Sequence, residues 1–253
     1  MFGFKRTFNL QLIKKLPKML LNIFFPKHCS CCKNVLKLSA TPPYFCKKCF
    51  KSIHITKPSY CIKCHKPNDF SESKLLCPEC VSGDKLPFDE FISPLTYSAS
   101  GRAIIHNLKF YAMPTSAETL GELICLKLKA YDRLDKIEAF IPAPISRKRL
   151  STRSYNQTLL IAKYLTKKTG IPTISALKKI KDTPPQSTLK LKERLTNLDG
   201  AIIFNTKKKI PESVAFIDDV YTTGTTASVC CKELKKNGAK NIYVVCGAIN
   251  NYE

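Results

Sequence analysis

From residue 87 onward, apolar positions follow two alternating spacings, which predict strands interleaved with helices. Short apolar runs at residues 91–97, 137–145, 200–204, 214–217 and 241–248 have strand length, and unbroken apolarity suits parallel strands covered on both faces. Residues 101–110, 117–131, 155–169 and 225–234 carry apolar side chains at helical spacing. Gly170 and Pro172 follow the third of these helices, where helices stop. The alternation predicts a doubly wound, mostly parallel sheet in residues 86–253, with ligands bound at the carboxyl ends of its strands.

Ahead of residue 86 the pattern changes twice. Residues 1–26 mix Phe4, Leu12, Leu16, Leu20 and Phe24 with Lys5, Arg6, Lys14, Lys15 and Lys18, and Pro26 closes the segment. This predicts a basic amphipathic helix packed on its own protein, with weak membrane-surface contact as the minority alternative. No apolar run reaches membrane-spanning length, so no transmembrane segment is expected. Basic residues inside the segment and the lack of a small-residue cleavage site argue against a signal peptide.

Residues 27–85 have few apolar side chains but four CxxC pairs: Cys29/Cys32, Cys46/Cys49, Cys61/Cys64 and Cys77/Cys80. Two thiolates in a CxxC turn occupy adjacent corners of a tetrahedral ion, and two pairs close a four-sulfur structural zinc site. Eight ligands suffice for two ions. Sequence order joins the first two pairs and the last two, while crossed pairing and a single ion stay open. Disulfides are the competing reading, disfavoured by the close spacing and the absence of a secretory signal. Cys31 is out of register, and His28 and His65 sit beside ligands. Cys125, Cys230, Cys231 and Cys246 fall in apolar surroundings that suit core packing.

At 253 residues the chain accommodates one α/β domain and a small metal-stapled module. Its formal net charge of +23, spread over both halves, suits a polyanionic partner, although a lysine-rich solvated surface gives the same total.

The densest chemistry follows the run at 214–217. Asp218 and Asp219 are expected at the strand's carboxyl end, Val220 and Tyr221 come next, and Thr222, Thr223, Gly224, Thr225 and Thr226 lead into a helix. Hydroxyls and unpaired backbone N–H groups at a helix start hold a phosphate. The loop lacks the GxxxxGK[ST] pattern of nucleotide triphosphate loops. Ionised carboxylates beside it suit the vicinal hydroxyls of a ribose. A structural strand, turn and capped helix is the bland alternative.

These residues resemble the phosphoribosyl pyrophosphate signature of type I phosphoribosyltransferases. The resemblance implies that the acidic pair holds the ribose hydroxyls and that residues 222–226 hold the 5′-phosphate. Three further segments look like parts of the same site. Pro144, Ile145, Ser146 and Arg147 form a turn near Lys148 and Arg149 where a pyrophosphate could dock. Residues 153–157 open the next helix with polar groups, and residues 183–197, with Arg194, could close as a lid. Each taken alone is as well explained by a capped helix or an exposed basic loop.

The four cysteine pairs, Leu108-Lys109-Phe110, IPAPISRKRLSTRSYNQ at 141–157, TPPQSTLKLKERLTN at 183–197 and FIDDVYTTGTT at 216–226 occur in the order found in the ComF family. The similarity covers almost the whole chain. It implies an α/β fold class: a small amino-terminal double zinc ribbon followed by a type I phosphoribosyltransferase-like, mostly parallel doubly wound sheet.

The resemblance also implies a cytoplasmic protein that handles incoming single-stranded DNA during natural transformation. It would bind phosphoribosyl pyrophosphate or a related phosphosugar, and a helicase or pore component of DNA uptake would be a partner. An active transferase is the alternative, passing a phosphoribosyl group to a nitrogen nucleophile with Mg²⁺ on the leaving pyrophosphate. Some purine-salvage relatives carry an acid in the phosphate loop; Thr222 stands there in this chain.

Overall fold

The computed structural model describes residues 26–56, 61, 63, 76, 80, 86–111, 113–182 and 200–250. The expected amino-terminal helix, Cys64, Cys77 and the expected lid at 183–197 lie outside the described residues.

Four segments of the chain build one parallel sheet in the order β1-β7-β6-β3: β1 (Glu90–Ile92), β3 (Ala139–Pro142), β6 (Ser213–Tyr221) and β7 (Asn241–Ile249). β2 (Leu95–Thr96) also pairs with β7, so the expected strand at 91–97 is interrupted at Ser93 and Pro94. Proline has no N–H to give a ladder. The run at 137–145 contracts to β3, which starts just after a 3-10 turn at Leu134–Lys136 and ends at Pro142, with Pro144 two residues on.

Alternate residues of these strands fill two cores. Ile141, Val214, Phe216, Ile242 and Val244 face one side, with Cys230, Cys231 and Leu234 of α6 (Thr225–Lys236). Phe140, Ala215, Ile217 and Val245 face the other. Against that face lie Ile104 and Leu108 of α2 (Ala99–Phe110), Ile124 and Leu128 of α3 (Pro114–Ala130), and Ile161 and Leu165 of α5 (Gln157–Thr169). Helices on both faces explain the continuous apolarity of 214–217. Close approach of α3 and α5 requires Gly121, where a Cβ would lie 2.4 Å from a Tyr164 ring carbon.

Two elements depart from the expected plan. Ile202–Phe204 (β5) leaves the parallel sheet and pairs antiparallel with Leu177–Lys179 (β4). Ile202 is buried and Ile203 exposed, the alternation of a strand covered on one face only. Arg147, Lys148 and Arg149, expected at a basic turn, instead open a short helix, α4 (Arg147–Arg153), capped by the Ser146 hydroxyl, which accepts from the Arg149 N–H. Leu150 is its one apolar residue and is half exposed, so no hydrophobic stripe marked it.

The first cysteine segment, with its short helix α1 (Lys47–Lys51), docks on α2 and α3 through buried polar contacts. Asn107 donates to the carbonyls of Ser30 and Cys31, both at 2.9 Å, and Thr119 Oγ1 meets Ser30 Oγ at 2.8 Å and the Tyr44 N–H at 2.9 Å. Among the described residues no helix is long and apolar enough to cross a membrane.

Candidate functional site

β6 runs four residues beyond the expected strand, to Tyr221, so the acidic pair lies inside the strand's second half and not at its end. Successive strand residues project to opposite faces. Asp219 points toward α2 and α5, where its carboxylate is almost fully buried. Oδ2 accepts from Lys109 Nζ at 3.1 Å and from Gln157 Nε2 at 3.0 Å. Asp218 accepts from the Asp219 N–H at 2.8 Å through Oδ1. Its carboxyl is raised from the ordinary range to about 7, first by desolvation and then by the adjacent Asp219 charge.

Lys109 and Gln157 belong to the sequence motifs at 108–110 and 141–157, but nothing in those motifs marks them as the donors to Asp219. They come from the last turn of α2 and the first turn of α5. Only the tertiary fold joins them, so no local pattern could have paired them.

After Tyr221 the chain turns through Thr222 and Thr223 to Gly224, which adopts φ +73 and precedes α6 with no side chain capping the helix start. A Cβ at Gly224 would lie 2.3 Å from Tyr221 Oη, so the loop folds back over its own tyrosine ring. The Thr223 and Thr225 hydroxyls meet at 2.9 Å. The arrangement presents hydroxyls and the dipole end of a helix beside the two carboxylates.

β3 lies next to β6, with Pro142 opposite Ile217 and the Ala143 N–H donating to the Ile217 carbonyl at 2.8 Å. The turn at 143–146 therefore leaves the sheet beside the acidic pair. Pro144, Ile145, Ser146 and Arg147 line a groove of about 880 Å³ between α4, α5 and β4. Asp218 through Thr226 do not line it. Arg149 and Lys179 crowd this edge: the pKa of each is lowered, first by burial, then by Arg153 for Arg149 and by Arg149 for Lys179. Mutually repelling cations of this kind are relieved by an anion.

The four-cysteine cluster was foreseen for the first two pairs, and the fold assembles it. Sulfurs of Cys29, Cys32, Cys46 and Cys49 all lie within 4.8 Å of one another. Four thiolates about 2.3 Å from a tetrahedral zinc are about 3.8 Å apart, and Cys32 and Cys46 are separated by 3.8 Å. The donor set therefore fits a closed structural zinc site. Cys46 is lowered to about 7, first by the Cys49 N–H aimed at its sulfur, whereas Cys32 and Cys49 are raised, first by burial. A cation at the centre offsets that opposition. Cys31 stands outside the cluster with its thiol pushed up to about 12 by burial. Of the second set, Cys61 and Cys80 are described and buried. Cys125, Cys230, Cys231 and Cys246 are buried in the cores, as their surroundings implied.

The class is thus an α/β protein with a mostly parallel sheet, carrying an amino-terminal zinc ribbon on the helices of one face. A family model described as a double zinc ribbon domain matches residues 20–81. The chain is 32% identical over 179 residues to Competence protein F of Haemophilus influenzae, covering 66% of this chain and 76% of that protein. It is 26% identical over 183 residues to the DNA utilization protein YhgH of Escherichia coli, covering 70% and 78%. Against Competence protein ComFC of Bacillus subtilis the identity is 33% over 106 residues, 41% of each chain. The chain belongs to the ComF family.

Proposed function

We propose that this protein handles single-stranded DNA on the cytoplasmic side of DNA uptake, and that Asp218, Asp219 and the loop 222–226 bind phosphoribosyl pyrophosphate or a related phosphosugar. The competence and DNA-utilization relatives support the first part. The observation that carries the second is the junction of β6 and α6, where an uncapped helix start and threonine hydroxyls adjoin two carboxylates. On this reading the phosphate sits against the loop and the ribose hydroxyls against the acidic pair. The pyrophosphate, with Mg²⁺, lies toward residues 144–147 and the Arg149 and Lys179 cations. Residues 27–85 and 86–253 act as two units, the first a structural module holding one or two zinc ions. A helicase or pore component is its protein partner.

Purified zinc-loaded protein should bind oligothymidylate with a steep inverse dependence on salt, and a deletion strain should lose transformation. Unchanged transformation in that strain contradicts the DNA-handling role. The transferase alternative draws on Asp218, whose carboxyl is held above the ordinary range by desolvation and by the adjacent Asp219, as suits a group that takes up a proton. Release of pyrophosphate across a panel of bases and amines, abolished by Asp218→Asn, would establish it.

A further inference from the structure

Acidic residues are distributed very unevenly along the chain. Residues 26–56, 91–117 and 139–181 contain no aspartate or glutamate, although they carry many of the lysines and arginines. The fold brings parts of these three segments together at the carboxyl end of α2. There Phe110 and Tyr111 are 63% and 55% exposed, a large apolar exposure for adjacent aromatic rings.

The rings are not isolated. Lys33, next to the cluster cysteine Cys32, places Nζ 3.0 Å from the centroid of Tyr111. His106 stands between the rings, 5.6 Å from Tyr111 and 4.8 Å from Phe110. The guanidinium of Arg153 lies 5.2 Å from Phe110, and its Nη1 reaches Gln157, a partner of Asp219. The Tyr155 hydroxyl donates to the Leu108 carbonyl and ties α2 to the α4–α5 junction. A continuous line of contacts thus runs from the zinc cluster to the acidic pair, with exposed rings in its middle and cations at both ends.

We propose that Phe110, Tyr111 and His106 form a stacking platform for the bases of a single strand, with Lys33 and Arg153 receiving the flanking phosphates. This rests on the DNA-handling reading and assigns it a surface. An aromatic face accepts any base, and a cation beside it receives the phosphate that follows, which is the combination single strands require. A duplex keeps its bases stacked inside and offers the rings nothing. The lack of acidic side chains in the three segments removes the repulsion that would otherwise oppose a polyanion. An apolar protein partner would cover the rings but has no use for Lys33 and Arg153, which have no carboxylate partner among the described residues.

The test is oligothymidylate binding by the full zinc-loaded chain, measured by fluorescence anisotropy over a salt series, with a duplex of the same length for comparison. Phe110→Leu with Tyr111→Leu keeps apolar bulk at exposed positions, so zinc content and the circular dichroism spectrum should be unchanged. The double variant should bind the single strand about tenfold more weakly or worse, with an unchanged salt slope and without the preference over duplex. Arg153→Gln should lower the slope by about 1. If wild-type protein binds single strands and the double variant binds them equally well, the platform is wrong while DNA handling stands. If wild-type protein binds no single strand at all, both fail.

Discussion

Asp219 holds a charge in a nearly dry place because two donors from distant helices converge on one of its oxygens. Removing the cation leaves the carboxylate with the neutral Gln157 donor and no counter-ion, and a buried charged group that loses its partner costs about 1–3 kcal/mol or more. Lys109→Met should therefore lower stability in urea denaturation by about 2 kcal/mol, with part recovered when Asp219→Asn is added. An additive double-mutant cycle would contradict the pairing.

Asp218 behaves differently because its raised pKa means the folded state favours the protonated carboxyl. Its contribution to stability is full below the unfolded value of 3.8 and is lost as pH rises toward about 7. Asp218→Asn should flatten the pH dependence of the melting temperature over that window, and an unchanged profile would contradict the assignment. At this scale the sequence exposed the two carboxylates but not their unequal surroundings, because Lys109 and Gln157 arrive from helices distant in the chain.

The unit made by β6, the threonine loop and α6 depends on one backbone conformation. Gly224 has φ +73, which a Cβ disfavours by about 1–2 kcal/mol, and the added methyl would also collide with Tyr221 Oη. Gly224→Ala should lower stability by about 2 kcal/mol and weaken phosphosugar binding. Wild-type affinity in that variant would show that the loop shape is not used.

The strand, loop and helix of this unit were readable from local pattern because continuous apolarity, a Thr/Gly cluster and helical spacing follow one another directly. Elements lacking such a signal were not. α4 has one half-exposed leucine, and β5 shares its apolar composition with the parallel strands but lies in a different sheet. The pairing of short strands is decided by tertiary contacts rather than propensity.

Across the whole molecule, two cores built from residues 88–249 hold the sheet and its helices, while Cys31, Phe45 and Ile53 of the ribbon only pack at the edge of one. Zinc removal should therefore unfold the ribbon first, leaving amides of β6 and β7 protected from hydrogen exchange. Simultaneous loss of that protection would contradict the division near residue 86. The fold class and the clustering of Cys29, Cys32, Cys46 and Cys49 were legible because cysteine spacing and strand–helix alternation are local patterns. The line from Lys33 to Asp219 was not, since it exists only where three acid-free segments meet.

Isothermal titration calorimetry with phosphoribosyl pyrophosphate asks whether the acidic pair and the threonine loop hold a sugar phosphate. Wild-type protein should give saturable heat, lost in Asp218→Asn with Asp219→Asn and in Thr225→Val. No heat with the wild type, or equal binding by these variants, would contradict that role.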